Sequence, residues 1–243
     1  MDTPRWFPDE LAHAGAEHRD PEYVATYDRK AATDPTEDVA LLRESQVGAT
    51  SVVVDLGAGT GTFALAAAPF CGRMVAVDVS PVMLAQLSAN VARLGLRNVE
   101  CAQAGFLSYA HQGAPADFVY SRHALHHLPD FWKALALSRI ADFMRPGGVF
   151  LLRDLIFSCE LSDAERAIEA WLAGAAERAR DEDAGQIGWT RAELEEHLRD
   201  EYSTFSWLLE PMLQRAGFQI DEARYSPSGI YTAYVCIKRL AGG

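Results

Sequence analysis

One stretch of the sequence is expected to bind a ligand, because three glycines at alternate positions follow an apolar run that ends in an acid. In "VVVDLGAGTGTFAL", at 52–65, Asp55 stands two residues before Gly57. Glycines at the carboxyl end of a buried strand leave bare backbone, against which a ligand can lie because no Cβ intervenes. The GxGxG spacing differs from the GxGxxG fingerprint that places a helix N-terminus on a pyrophosphate. The Asp55 carboxylate disfavours a phosphate here and favours a ligand that carries an ammonium group.

A second acid, Asp78, ends the next predicted strand, 17 residues after Gly61. At this place in nucleotide-binding α/β folds, an acid accepts hydrogen bonds from a ribose diol. An ammonium near Asp55 and a ribose near Asp78 together describe S-adenosylmethionine better than NAD. We therefore predict S-adenosylmethionine as the cofactor. A nicotinamide-dependent dehydrogenase, and cap or turn roles for the two acids, stay open as alternatives.

Histidines are concentrated just past the fourth predicted strand, in "SRHALHHL" at 121–128. Methyl transfer from a sulfonium is an in-line displacement, and positioning of the reactants can supply much of its acceleration. A hydroxyl or amine acceptor must also lose a proton, which a histidine within about 3 Å can accept as general base. If a helix-like turn begins at Arg122, His126 points toward the site and His127 away from it. The predicted catalytic residues are therefore His123 and His126, while packing or turn-capping roles stay open for each histidine.

Two metal hypotheses arise in the same region. His123 and His127 are four residues apart, but no carboxylate is obviously placed with them, so the sequence predicts no metal site. Asp154, just after the fifth predicted strand, could orient an acceptor, bind Mg²⁺ or end the strand in solvent.

The elements that must position these residues alternate between apolar β-rich runs and helical patterns, which is typical of a parallel sheet with crossover helices. The helix after Asp78 has the best-defined ends, with Ser80 as its cap and Gly95 at its end. Five strands are predicted, at 51–56, 74–79, 98–102, 116–120 and 148–153. A helix near 207–216 then precedes two strands that are expected to pair as a hairpin. The predicted fold is a doubly wound α/β fold with a mostly parallel seven-stranded sheet and a C-terminal antiparallel hairpin.

A single domain with a helical lid insertion is predicted over the whole chain. Its parts are an N-terminal helical cap (1–45), a cofactor-binding core (46–155), the lid (156–206) and a C-terminal helix and hairpin (207–243). Capping boxes at 162–165 and 190–193 predict helices in the lid, and the charged stretch 177–188 between them predicts a surface loop. Tyr23 and Tyr27 lie four residues apart on a predicted helix of the cap, and Tyr27 is a candidate for cofactor contact.

The composition argues against several classes of partner. The 243 residues carry 34 Asp and Glu against 22 Lys and Arg, a formal net charge of −12. A nucleic acid or an anionic membrane is therefore not expected as a partner. Neither a signal-like leader nor an apolar run of about 20 residues is visible. The four separated cysteines make no CxxC pair and are expected to be reduced, mostly buried thiols of a cytoplasmic protein.

Over roughly residues 45–155, the chain resembles class I S-adenosylmethionine-dependent methyltransferases of the small-molecule type. "VVVDLGAGTGTFAL" resembles the first motif of that family and "MVAVDVSPVML" the second. "ADFVYSRHALHHL" and "FMRPGGVFLLRDL" resemble the segments around its fourth and fifth strands.

The resemblance implies a set of cofactor-binding positions. The methionine half of the cofactor would lie along Asp55, Gly57, Ala58 and Gly59. Asp78 would hold the ribose, and Val79 and Met83 would pack on the adenine. Ser121 would lie near the sulfonium through its backbone.

One departure from the family pattern lies after the third strand. Family members often carry an acid there that meets the adenine amino group, whereas "CAQAGFLSY" places Gly105 at this position, followed by Phe106. The adenine is then expected to rely on backbone groups of this loop and on Phe106. The fourth strand is followed by "SRHA", which lacks the Asn/Asp-Pro-Pro-aromatic stretch of enzymes that methylate bases and again disfavours nucleic acid.

These features predict transfer of a methyl group from S-adenosylmethionine to an O, N or C atom of a small, partly apolar molecule. The alternative is a non-methylating domain that binds S-adenosylmethionine or S-adenosylhomocysteine as a sensor, a cyclase or a partner subunit, because binding and transfer use the same loops. The identity of the acceptor, the reacting atom and the oligomeric state are not determined by the sequence.

Overall fold

A computed structural model describes residues 6–15, 17–31, 33–178 and 189–240. Three helices come first: α1 (Glu10–His13), α2 (Pro21–Ala31) and α3 (Thr36–Glu44). Strands and helices then alternate as β1 (Val52–Leu56), α4 (Thr62–Ala67), β2 (Arg73–Asp78), α5 (Pro81–Leu94), β3 (Val99–Gln103), β4 (Ala116–Arg122), α6 (Asp130–Phe143) and β5 (Met144–Phe157). The remaining elements are α7 (Ala164–Arg178), α8 (Arg191–Asp200), β6 (Thr204–Phe205), α9 (Ser206–Arg215), β7 (Phe218–Tyr225) and β8 (Tyr231–Lys238).

Seven of the strands form one sheet in the order β3-β2-β1-β4-β5-β8-β7. The first five are parallel, and β8 pairs antiparallel with both β5 and β7. The two-residue β6 pairs with the end of β5. This arrangement confirms the predicted mostly parallel, seven-stranded sheet with a C-terminal hairpin. The strand order reverses between β1 and β4, and such a switch point is where ligands bind in open α/β sheets.

Helices cover both faces of the sheet, because successive side chains of a strand point to opposite faces. All five residues of β1 are buried. Val53 packs with α3, α4 and α5 on one face, whereas Val54 packs with α6 and α9 on the other. The insertion after β5 forms a third, smaller core, in which Trp171 and Leu194 pack against Ile230 and the end of β5.

The capping residues that the sequence predicts are found at some helix ends and not at others. The Ser80 side chain accepts the Met83 N–H at 3.1 Å and caps α5, which ends at Gly95 as predicted. The capping box at 190–193 is also confirmed. At the box predicted for 162–165, a 3₁₀ turn, Leu161–Asp163, takes up the first two residues, and α7 begins at Ala164. The predicted loop at 177–188 lies outside the described residues from 179 onward, and residues 177 and 178 belong to α7.

In the part of the chain that the structure describes, no helix is both long and apolar enough to cross a membrane. All four cysteines are free thiols: Cys71 and Cys236 are buried, Cys159 is intermediate and Cys101 is exposed. Burial of the thiols is therefore less general than the sequence suggested.

Candidate functional site

A cavity of about 690 Å³ lies at the carboxyl ends of β1 and β2. It collects most of the residues that the sequence assigned to cofactor binding, namely Tyr27, Gly57, Gly59, Asp78, Val79, Met83, Gly105 and Phe106. Asp55, Ala58 and Ser121, which were assigned to the same ligand, do not line it. Val79, Met83 and Phe106 give one part of the wall an apolar character suited to a flat base.

Backbone conformation and the space around the loop after β1 both favour glycine at two of its positions. Gly57 has a φ of +75°, and a Cβ there would overlap the Cβ of Ala124. Gly59 has a φ of +53°, and a Cβ there would meet nothing within 4 Å. Positive φ favours glycine at both positions, and the room beside Gly59 is space that a ligand can fill.

Asp78 is fixed by backbone donors at the end of β2. Its Oδ2 accepts the Gly59 N–H and its Oδ1 accepts the Ser80 N–H, both at 2.8 Å. Burial raises the pKa of this carboxyl, although the two N–H donors oppose the rise. Each carboxylate oxygen has a second lone pair, so Asp78 retains acceptor capacity for the hydroxyls of a bound sugar.

Asp55 lies behind this wall rather than on it. Its side chain is 2% exposed and accepts the N–H of Ala64 in the first turn of α4. Burial, together with the nearby charge of Asp78, raises the pKa of Asp55 to about 8. Near neutral pH this carboxyl is therefore largely protonated, unless a cation or a further donor comes to it.

Glu10 of α1 is a cavity residue that the sequence analysis missed. Its Oε1 accepts the Leu107 N–H and its Oε2 accepts the Ser108 N–H, both at 2.9 Å. A Cβ on Gly105 would overlap this carboxylate. The acid that the loop after β3 lacks is thus supplied by a helix almost one hundred residues away, and no local pattern in the sequence signals the pairing.

A second, larger cleft of about 2870 Å³, open to solvent, adjoins the first cavity. Both are lined by His18, Tyr27, Arg122, His123 and His127. The wall of the larger cleft is rich in aromatic rings, contributed by Tyr23, Trp171, Trp189, Tyr202, Tyr225 and Tyr231. The insertion supplies Trp171, Trp189 and Tyr202, so it forms part of this wall as well as a small core of its own.

Two arginines of the cleft wall are held by one buried acid. Asp38, which is fully buried, lies 2.5 Å from Arg153 Nε and 3.3 Å from Arg122 Nη1. It also accepts the Tyr120 hydroxyl at 2.6 Å. The guanidinium groups therefore have fixed positions and a neighbouring negative charge that offsets part of their own.

His123 lies where the two cavities meet. Its φ of +50° is unusual for a residue with a side chain, and its N–H donates to Arg153 O at 2.9 Å. Burial lowers the pKa of His123 to about 4, so the imidazole is neutral near pH 7. Its Nδ1 is buried and has no hydrogen-bond partner among the described residues. A neutral imidazole with an unused nitrogen can accept a proton or a hydrogen bond from a ligand.

His126 lies between two carboxylates. Its Nδ1 is 2.5 Å from Asp154 Oδ1, and its Nε2 is 2.9 Å from Glu201 Oε2. Asp154 also accepts the backbone N–H of His126 at 3.0 Å. Burial opposes a charge on this ring, but the two acids outweigh it and raise the pKa of His126 to about 9. Asp154 is therefore a partner of His126 in this structure rather than a solvated strand end.

The orientation predicted for His127 differs from the one in the structure. His127, which was expected to point away, lines both cavities, while His126 lines only the larger cleft. The reason is that Leu125–His127 form a 3₁₀ turn, whose rotation per residue differs from that of an α-helix.

A doubly wound sheet whose switch-point edge carries a glycine loop, an acid at the end of β2 and a final antiparallel hairpin defines the class I methyltransferase fold. Residues 53–148 match the methyltransferase domain family. Over 119 residues, the chain is 31% identical to the uncharacterized methyltransferase YcgJ of Bacillus subtilis (strain 168). That match spans 49% of this chain and 46% of YcgJ, so it spans about half of the relative's length.

Solved structures share the fold at low identity. An S-adenosylmethionine-dependent methyltransferase from Aquifex aeolicus superposes with a TM-score of 0.58 at 19% identity, covering 90% of this chain and 98% of that one. The cyclase SpnF superposes with a TM-score of 0.62 at 15% identity, covering 84% and 81% of the two chains. The chain therefore has the fold of these proteins, and its residues 53–148 match a methyltransferase domain, in agreement with the resemblance of its motifs.

Proposed function

We propose that this chain binds S-adenosylmethionine in the smaller cavity and transfers its methyl group to a small, partly apolar molecule in the larger cleft. The observation that carries the proposal is the junction of the two cavities at His123. The cavity on the glycine loop adjoins there a cleft lined by aromatic rings. A methyl donor and an acceptor would meet at this junction.

The residues of the smaller cavity fit the cofactor. The open space beside Gly59 admits a ligand against the backbone, and Asp78 offers carboxylate oxygens to a ribose diol. Val79 and Met83 provide an apolar surface for the adenine. When bound, the cofactor supplies an electrophilic methyl group on a sulfonium. A cationic ligand also suits a cavity whose wall carries the carboxyl groups of Glu10 and Asp78.

Of the two histidines predicted as bases, His123 suits the task better. It is neutral near pH 7 and keeps an unused ring nitrogen at the junction. His126 has both ring nitrogens directed at carboxylates and carries a charge near neutral pH, so it has no free lone pair. We assign His123 to proton removal from a hydroxyl or amine acceptor, and His126 to positioning of the wall around it.

The cleft supports an acceptor that is aromatic or partly apolar. Tyr and Trp rings present large apolar faces together with polar edges, which suits a flat molecule with a few polar groups. Arg122 and Arg153 add fixed donors on the same wall. A nucleic acid acceptor is disfavoured by the net charge of −12.

Ligand-induced stabilisation tests the cofactor, and a second assay tests the transfer. At 100 times its dissociation constant, a ligand adds about 2.7 kcal/mol to the stability of the folded state. S-adenosylmethionine and S-adenosylhomocysteine should therefore raise the melting temperature by about 2–4 °C, while NAD and NADH should not. If neither adenosyl compound shifts the transition of ligand-free protein, the cofactor assignment is wrong. Binding without label transfer from methyl-labelled cofactor to any phenol, catechol or amine in a panel would instead favour a binding domain.

A further inference from the structure

Four side chains of the larger cleft bring ligand atoms together around one carboxylate oxygen. His126 Nε2 lies 2.9 Å from Glu201 Oε2, and His127 Nδ1 lies 3.9 Å from the same oxygen. His197 Nδ1 is also in contact with it. The ligand atoms of His126, His197 and Glu201 all lie within 4.8 Å of one another. The nitrogens of His126 and His197 and the carboxylate of Glu201 thus converge on one point, and His127 Nδ1 lies beside this group, near Glu201.

Two of these histidines are anchored through their other nitrogen. His126 Nδ1 is held by Asp154 Oδ1 at 2.5 Å, and His197 Nε2 lies 3.1 Å from Ser203 Oγ. Histidines that bind metal ions are typically held in this way, with one ring nitrogen on a carboxylate, carbonyl or hydroxyl and the other on the ion. The rings are therefore fixed with their remaining nitrogens directed at the shared point.

Other atoms at this point lack satisfactory partners. Glu201 Oε2 and His127 Nδ1 are both buried, and neither has a hydrogen bond of good geometry to any described residue. The approach of Glu201 Oε2 to His126 Nε2 is thus a charge contact rather than an aligned hydrogen bond. A buried carboxylate oxygen and a buried imidazole nitrogen without partners carry a desolvation cost, which a cation between them would remove.

We propose that His126, His127, His197 and Glu201 form a binding site for a divalent transition-metal ion of the Zn²⁺ type. Three nitrogens and one oxygen match the preference of Zn²⁺ and Co²⁺, whereas Mg²⁺ and Ca²⁺ prefer oxygen ligands. Asp154 and Ser203 act in this site by orienting the histidines, and the ion takes the place of the proton that His126 Nε2 carries in its absence. The ligand set lines the larger cleft, so the ion would be accessible to a donor atom of a molecule bound there.

The proposed site depends on the tertiary structure in a specific way. His197 and Glu201 lie on the last turn and at the end of α8, in the insertion, whereas His126 and His127 follow β4. The Tyr202 N–H donates to His126 O at 2.9 Å and fixes these two segments relative to each other. The inference does not rest on methyl transfer, because the ligand set is defined without any cofactor.

Metal binding by the purified full chain tests the proposal directly. After treatment with a chelator and its removal, the protein is titrated with Zn²⁺, and the stoichiometry is confirmed by elemental analysis. One ion per chain with a dissociation constant of about 1 µM or lower is expected. His197→Ala and Glu201→Gln should each weaken binding by about 100-fold, and Ser203→Ala by about 10-fold through the lost anchor.

Controls separate this site from surface binding and from unfolding. His111→Ala removes a histidine outside the cluster and should leave the affinity unchanged. Cys101→Ser removes the exposed thiol, and the Co²⁺ spectrum should show nitrogen and oxygen ligands without a thiolate charge-transfer band. Circular dichroism checks that each variant is folded, and Glu201→Gln keeps the shape of the side chain. If Zn²⁺ fails to bind at about 100 µM, or binds equally well to folded His197→Ala and Glu201→Gln, the cluster is a charged hydrogen-bond network and the proposal is overturned.

Discussion

His123 and His126 are three residues apart, yet their surroundings give them opposite charge states. Burial keeps His123 neutral although Asp154 opposes this effect, whereas Asp154 and Glu201 hold His126 protonated. His123 also keeps a left-handed backbone conformation, which is uncommon for a residue other than glycine and often marks a functional position. These differences favour His123 over His126 as the base of the proposed reaction.

Replacement of His123 should reduce turnover without loss of cofactor affinity. We expect His123→Asn to lower the rate of methyl transfer by about 100-fold or more, because a general base contributes that much to catalysis. Asparagine tolerates the left-handed conformation, so the backbone is preserved. Single-turnover assays measure the rate, and calorimetry with S-adenosylhomocysteine measures the affinity. His111→Asn serves as a control, and full turnover in His123→Asn would show that positioning alone supports the reaction.

Asp55 should make the ligand-free protein less stable as the pH rises. Its pKa is about 8 in the folded protein and about 3.9 in an unfolded chain, so between these values the folded state binds more protons. The stability that this proton confers is complete below the lower value and is lost as the pH approaches 8. The loss reaches at most about 1.4 kcal/mol for each pH unit.

Asp55→Asn should therefore flatten the pH dependence of stability between pH 5 and pH 8. Denaturant unfolding at a series of pH values measures the slope for the wild type and the variant. Asp221→Asn, at an exposed acid, is the matched control and should follow the wild type. Equal slopes for wild type and Asp55→Asn would show that Asp55 is ionised throughout this range.

At the scale of elements, the N-terminal helix α1 completes the loop after β3. Glu10 accepts two backbone N–H groups of that loop and occupies the position where a side chain at residue 105 would lie. Phe106 on the same loop lines the cavity. Glu10 can thus both hold the loop and present a carboxylate to the amino group of an adenine. The two halves of this arrangement lie almost one hundred residues apart in the sequence.

Removal of Glu10 should weaken cofactor binding, and an acid at position 105 should compensate. We expect Glu10→Ala to lower the affinity for S-adenosylhomocysteine by about 10-fold, the usual effect of a lost charged hydrogen bond. In the Glu10→Ala background, Gly105→Asp has room for its side chain and should restore most of the affinity. In the wild type, the same change should be harmful because the Cβ overlaps Glu10. Additive effects in this double-mutant cycle would exclude a shared role.

The insertion combines a small core with a wall of the acceptor cleft. Trp171 is 7% exposed, packs with Leu172 and Leu194, and donates its indole N–H to the Tyr231 hydroxyl at 3.2 Å. Lys30 of α2 lies 4.6 Å from the centre of the Trp189 ring and pairs with Glu193. The insertion is therefore tied both to the hairpin and to the N-terminal helices.

Trp171→Ala should loosen the insertion and leave the sheet intact. The lost packing is worth about 3–5 kcal/mol, but only in the core formed by α7, α8 and the hairpin. Hydrogen exchange should become faster in α7 and α8, while β1 to β5 keep their protection. The affinity for S-adenosylhomocysteine should change little, whereas acceptor binding should weaken. Faster exchange throughout the sheet would indicate that the insertion is part of the main core.

At the scale of the whole molecule, the net charge bears on which kinds of partner are expected. A net charge of −12 opposes association with phosphate backbones, although Arg122 and Arg153 lie in the cleft. Those two guanidinium groups are paired with Asp38, and Arg153 is also paired with Glu37, so the two arginines add little net attraction. In the proposed function, these charges favour a small acceptor over a polyanion.

Duplex DNA and structured RNA should therefore fail to bind at physiological salt. We expect no change in fluorescence anisotropy of labelled oligonucleotides up to about 100 µM protein, which is the range of non-specific binding. A basic DNA-binding protein in the same buffer provides the positive control. Binding that weakens steeply with added salt would contradict this prediction and would reopen a nucleic acid acceptor.

The amino-acid sequence by itself determined those features whose causes are local. Ser80 caps α5 because a serine oxygen reaches an N–H three residues on, and glycines at alternate positions free the backbone wherever the strand ends. Alternation of apolar runs was enough to predict the doubly wound sheet and its hairpin. The first and second motifs likewise placed Gly59, Asp78 and Met83 on one cavity.

Only the tertiary structure decided which distant groups meet. Glu10 reaches the loop at Gly105, and His197 and Glu201 reach His126, because α1 and α8 pack over the carboxyl edge of the sheet. Such contacts depend on how the helices pack against the sheet, and this packing cannot be predicted from the spacing of residues along the chain. The same is true of Asp55, whose carboxylate turns to the N-terminus of α4 rather than to the cavity, and of His127, which a 3₁₀ turn directs inward. Local sequence patterns determine the helices, the strands and the exposed backbone of the glycine loop. Packing determines the charge state of each side chain at the site and the groups that it contacts.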